Sequence, residues 1–239
     1  SISSGADSTG RYSFGIFIDY SKNFHTADFR RISDCPSCSP GYRDGAGNSF
    51  SFGLSYELTI RQALSIGVRA SYSDFSAILK SEEPTMIAVA GQAVNGAFEH
   101  SFDAKLATVG VEPFAKYNLW DNLFASAGVS AGFLVSSSYS QKEQITKPSA
   151  SGTFLDENGN DSHSRVRNVF SGQISNTNKL ILSPFVGISY RLPLSKSSSW
   201  FVEPELTYSL GLSNIVADDY VREWKSRDRK STRLNSSHT

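Results

Sequence analysis

Residues 50–60 read FSFGLSYELTI. Taken alternately, Phe50, Phe52, Leu54, Tyr56, Leu58 and Ile60 fall on one face, and Ser51, Gly53, Ser55, Glu57 and Thr59 on the other. Strict period 2 marks a β-strand with one greasy and one polar side. A soluble sandwich turns the greasy side inward; a membrane barrel turns it outward, into lipid. Which side meets solvent decides the fold.

The same alternation recurs along the chain. Tyr12 to Tyr20, Leu64 to Tyr72, Leu123 to Val135, Leu180 to Leu192 and Trp200 to Leu212 each carry apolar residues at every second position, with mostly Ser and Gly between them. A further strand, roughly 100–118, changes phase: Phe102, Ala104 and Leu106 are apolar at even positions, Ala107, Val109 and Val111 at odd ones. A β-bulge near Leu106–Ala107 is the expected cause, because one extra residue flips the faces. Connections alternate in length. Arg61–Ala63, Leu119–Asn122 and Pro193–Ser199 are tight, while 22–48, 78–99 and 137–178 are long and polar and are expected to be loops.

Composition narrows the choice. The 239 residues suffice for a sizeable core, and 23 Lys+Arg against 23 Asp+Glu give no basic surface for nucleic acid. No run approaches 18 consecutive apolar residues, so no transmembrane helix is predicted; a barrel strand needs only about 9–11 residues. The alternating stretches exceed the usual soluble strand of about 5–6 residues. Tyr12, Tyr20, Tyr56, Tyr72, Tyr190 and Tyr208 lie on greasy faces, and Trp120 and Trp200 flank tight turns, as interfacial girdles require. These features favour an all-β, antiparallel up-and-down transmembrane barrel of the eight-strand class over a soluble lipocalin-like one. Pro113 and Pro204 fit poorly inside either sheet.

LSPFVGISYRL (182–192), VEPFAKYNL (111–119) and VEPELTYSL (202–210) resemble the hairpin strands of OmpA-like outer-membrane β-barrels. TFLDENGND (153–161) and HTADF (25–29) are similar to loops of barrels in that family. The resemblance covers about 10–225. It implies an outer-membrane location, lipid as the surrounding partner, and a structural, anchoring or adhesive role rather than an enzymatic one. It also implies an extracellular ligand for the long loops, and peptidoglycan only through a downstream domain that these residues do not include. No cofactor is expected.

The polar phase also carries charge: Asp19, Glu57, Arg69, Glu112, Lys116, Arg191, Glu203 and Glu205. An isolated buried charge costs several kcal/mol, so these are expected to form a cross-lumen network that plugs a narrow barrel. Cys35-Pro-Ser-Cys38 is read as a local disulfide, since zinc lacks further nearby ligands beyond His25 and a redox motif lacks its βαβ setting. Residues 156–161 resemble a calcium loop but lack its bidentate Glu, so an Asx-rich turn is expected. His25, His100 and His163 fall at the outer end, where a binding or enzymatic rim would require them to meet an acid and a Ser.

The chain divides into a lead-in (1–9), the barrel (10–227) and a tail (228–239). The first residue is Ser1, which reads as a processed chain or a fragment. The tail, DRKSTRLNSSHT, lacks apolar periodicity and resembles, codon by codon over Asp228–His238, a translated sequencing-library adapter. On that reading only seven strands are present, with a gap between the first and the last.

Overall fold

In a computed structural model, residues 12–30, 41–90, 92–156, 158, 160–194, 200–216 and 221–238 are described. Cys35, Cys38 and the lead-in lie outside them. Ten strands form one sheet: β1 (Tyr12–Phe29), β2 (Tyr42–Arg61), β3 (Leu64–Val89), β4 (Gln92–Trp120), β5 (Leu123–Lys147), β6 (Val166–Gln173), β7 (Leu180–Tyr190), β8 (Leu192–Pro193), β9 (Trp200–Ser209) and β10 (Val221–His238). Every pairing is antiparallel, in the order β10-β1-β2-β3-β4-β5-β7-β9, with β6 added to β5 above β7.

The closing strand is present, which corrects the expected gap. β10 pairs β1 from Phe14↔His238 to Phe29↔Val221, and pairs β9 from Arg229↔Ser209 to His238↔Trp200. The open edges of β1 and β9 offer rows of unpaired N–H and C=O groups, and extended backbone satisfies them whatever its side chains. Eight strands thus have a neighbour on each side.

The opening question is answered by exposure. Phe50, Phe52, Leu54 and Tyr56 are exposed, whereas Ser49, Ser51, Ser55 and Glu57 are buried. In the part of β1–β5, β7 and β9 nearest the tight turns the greasy face points outward, and Tyr12, Tyr20, Tyr56, Tyr72, Trp120, Tyr190 and Trp200 are all exposed on it; Tyr208 is half-buried. A soluble barrel would have the opposite arrangement. Barrels with an apolar outer band and tight turns at one end are outer-membrane proteins. This chain is an outer-membrane β-barrel.

Above the apolar band the chemistry of both faces inverts on β3 and β4 while their phase stays constant. On β3, outward Ile66, Val68, Ala70 and Tyr72 give way to a mostly polar row, Asp74, Ser76, Lys80 and Glu82, with Ile78 and Met86 still exposed in it; inward Arg69, Ser71 and Ser73 give way to Ala77 and Leu79, then Ser81. On β1 the change falls between outward Tyr20 and Lys22. β4 behaves likewise: even positions face inward throughout, from Phe102, Ala104 and Leu106 to Thr108, Glu112 and Lys116. Its apparent phase change is therefore a change of surroundings, and the β3–β4 register runs unbroken from Leu64↔Tyr117 to Val89↔Gln92. The bulge lies in β5 instead, where Ala107↔Ser136 is followed by Thr108↔Leu134 and Val135 is left over.

The inversion also explains why the long polar segments are not simply loops. β3 and β4 run on as a hairpin through 78–99, turning at Ala90 with φ 49°. β1 and β2 occupy much of 22–48, and β5 and β6 much of 137–178. Polar residues there face water on the outside, while Phe29, Tyr42, Phe102 and Tyr139 pack inside with Leu79, Leu106, Leu134, Ile174, Ile215 and Val216. The outer half of the barrel has a core like that of a soluble protein. The two prolines fall where a ladder stops: β4–β5 pairing skips Glu112 and Pro113, and β7–β9 pairing ends at Glu205, one residue before Pro204.

Candidate functional site: the layered lumen

Nearest the tight turns, the lumen holds an ion network. Lys116 Nζ donates to Glu57 Oε2 and Glu203 Oε1, both at 2.7 Å. Arg191 joins the same two carboxylates, Nε to Glu203 Oε2 at 2.9 Å and Nη2 to Glu57 Oε1 at 3.2 Å. One layer higher, Arg69 Nη2 donates to Glu205 Oε2 at 2.6 Å, and Ser126 Oγ donates to Oε1 of the same carboxylate at 2.9 Å. Arg69 and Glu205 are fully buried, so neither charge is screened by solvent. Glu112 lies opposite Arg69 in the β3–β4 ladder, and Asp19 on β1 is buried opposite position 233 of β10. The alternating fold brings these residues together because each sits in the inward phase of its strand.

Inward aromatics complete this layer, and the alternation gave only a faint sign of them. Phe114 lies under Arg69, with the guanidinium carbon 4.4 Å from the ring centroid; Arg191 sits 4.8 Å from Phe124 and 4.1 Å from Phe201. Such cation–π contacts strengthen when desolvated. The rings fit because glycines face them. A Cβ at Gly67 would meet the Phe114 ring at 2.3 Å, and one at Gly128 the Phe185 ring at 2.8 Å. The signal in the sequence was a lone Phe in a Ser/Gly phase.

Above the ions lies a small cavity with a free volume of about 50 Å³ for water, lined by Ser71, Ser73, Thr108, Ser130, Ser183 and Asn23 among others, with Phe75, Ile181 and Ile215 at its outer side. The apolar core closes the lumen beyond it. From the turns outward the interior is therefore charged, then hydroxylic, then apolar.

The three histidines occupy separate places. His25, beyond the apolar band on β1, is buried facing inward, and burial pulls its imidazole down to about 4, with the Ser76 backbone acting the other way. His100 lies between Glu83 (Nε2 to Oε2, 3.2 Å) and Glu143 (Nδ1 to Oε1, 3.4 Å); Arg167 Nε donates to Glu143 Oε2 at 2.8 Å. Sequence reasoning missed these partners, which lie on three other strands. His163 is exposed beside Asp161, 3.3 Å away. Asp156 Oδ1 accepts from the backbone N–H of Asn158 and Asn160 at 2.9 and 2.8 Å, an Asx turn. The Asp161 carboxyl is held below its ordinary range by hydrogen bonds from the Thr153 hydroxyl and the His163 N–H.

The sequence matches no family model and no curated protein. Among solved structures, the attachment invasion locus protein Ail of Yersinia pestis matches at 13% identity over 95% of this chain and 97% of that one, with a TM-score of 0.34. Neisserial surface protein A gives 11% identity, 94% and 96% coverage and a TM-score of 0.35. The outer membrane protease OmpT of Escherichia coli gives 8%, 97% of each chain and 0.37. At these scores the superpositions are loose.

Proposed function

We propose that this protein is a sealed membrane anchor whose outer half is an adhesive or ligand-binding surface. The observation that carries the reading is the layered lumen, with paired ions on one side of the cavity and an apolar core on the other. A solute crossing it would have to strip buried ion pairs and then enter a dry core, both costly. The outward hairpins, with β3 continuing for roughly 50 Å of strand beyond Tyr72 at ~3.3 Å per residue, are well suited to reaching past a surface layer. A catalytic rim is disfavoured because, among the described residues, none of the three histidines hydrogen-bonds a serine hydroxyl. The OmpA-like kinship rests on the three Pro–aromatic strand segments, and any peptidoglycan contact would belong to a separate domain.

Planar-bilayer recording on the refolded chain tests the seal: no stepwise ion conductance is expected, and a steady channel would overturn the reading. Proteoliposomes should adhere to coated protein or glycan surfaces and lose that adhesion when protease shaves the outer half. Adhesion that survives shaving would count against the surface role.

A further inference from the structure

The hydroxyl-lined cavity is placed by the fold, but neither the anchor role nor the ion network uses it. Its lining includes Asn23, which is 2% exposed and whose amide oxygen and nitrogen have no hydrogen-bond partner among the described residues. Buried amides are hydrogen-bonded in the great majority of proteins, and leaving one unpaired is costly. Facing the same space are the hydroxyls of Ser71, Ser73, Thr108, Ser130 and Ser183. Among the described residues, no ionisable side chain lines the cavity. Against this described lining a charged guest would exchange its hydration for hydroxyls and one amide, which favours a neutral guest. An apolar guest would leave the amide unsatisfied.

We infer that this cavity is a binding site for a neutral hydroxylic guest that pairs with the Asn23 amide: a cluster of water molecules, or a small polyol in their place. The volume of about 50 Å³ admits roughly three to five waters at ~10–15 Å³ each. Hydroxyls rotate to donate or accept, which suits a guest whose hydrogen-bond pattern is not fixed.

NMR on the full chain refolded in detergent micelles tests this. The Asn23 side-chain amide, assigned by its loss in Asn23→Leu, should show cross-relaxation with long-lived water. Ser130→Val, which narrows the cavity without touching Asn23, should reduce that signal. Glycerol titration separates the two sources. A saturable shift at the Asn23 amide with loss of the water signal identifies a polyol site; an unchanged water signal identifies water as the guest. An Asn23 amide that is resolved but shows no water contact, and no shift with glycerol, would overturn the inference. If Asn23→Leu fails to refold, connecting the side-chain amide to the sequentially assigned Asn23 backbone identifies it, and the Ser130→Val comparison decides the question.

Discussion

Lys116 bridges two carboxylates that come from β2 and β9. Replacing it by Met leaves Glu57 and Glu203 with Arg191 alone, which should cost about 3–5 kcal/mol, the usual penalty for orphaning a buried charge. Adding Glu203→Gln should recover part of that loss, and equilibrium unfolding in lipid vesicles would show it. Strictly additive effects would mean the pair is not coupled. His25 makes a second prediction, on pH. Its folded pKa of about 4 lies below the ordinary 6.5, so below pH 6.5 the unfolded chain takes up a proton that the folded chain refuses. Stability contributed by His25 is full above about pH 6.5 and drains away as pH falls to about 4. His25→Gln should remove that part of the slope; an unchanged slope would show that His25 does not carry it. The lumen charges were legible in the sequence because each interrupts a Ser/Gly phase. Their partners were not, since Arg69 and Glu205 are 136 residues apart and only ring closure sets them side by side.

Strands were the most legible elements, because period 2 needs no tertiary knowledge. Their outer ends were misread for a physical reason. Sequence alternation reports which residues are apolar, not which way they point, and here apolar means outward in lipid and inward in water. β4 shows this: Leu106 and Val111 have opposite phases and opposite surroundings on a continuous ladder. A charge on the outward face should therefore be costly only below the inversion. On β5, Val129→Arg should cost about 2–4 kcal/mol near the bilayer midplane, while Ser140→Arg, exposed beyond the β5 bulge, should cost little. Equal losses would place the boundary elsewhere. Deleting Val135 removes the bulge and makes the ladder regular, Thr108↔Leu134 followed directly by Ala107↔Ser136, so Tyr139, Gln141, Glu143 and Ile145 should keep facing the core. Limited proteolysis should then leave the 137–173 region as resistant as in the parent chain, and new cleavage there would show that the bulge itself sets the facing of the outer half.

At the scale of the molecule, two environments share one wall. The lower half is polar inside and apolar outside and the upper half tends to the reverse; β3 and β4 pass through both without changing phase, while β5 shifts phase at its Val135 bulge. Closure depends on β10, whose register with β1 gives positions 228, 230, 232, 234 and 236 the outward phase of Phe24, Lys22, Tyr20, Ile18 and Ile16. In sequence those positions are Asp228, Lys230, Thr232, Leu234 and Ser236, only one of them apolar. Of these, only positions 232, 234 and 236 are paired with β1 below the inversion, and of Thr232, Leu234 and Ser236 one is apolar. Replacing Thr232 and Ser236 by Tyr and Val should raise resistance to urea in vesicles; no change would show that this row does not face lipid.

The central claim is that the membrane ends where the chemistry of the wall inverts. Spin labels placed singly at 66, 68, 70, 72, 74, 76, 80 and 82 on β3, in a background with Cys35 and Cys38 replaced by Ser, test it directly in lipid vesicles. Labels from 66 to 72 should collide mainly with oxygen, which partitions into lipid, and those from 74 to 82 mainly with a water-soluble nickel chelate. A gradual profile, or water access along the whole row, would contradict the account.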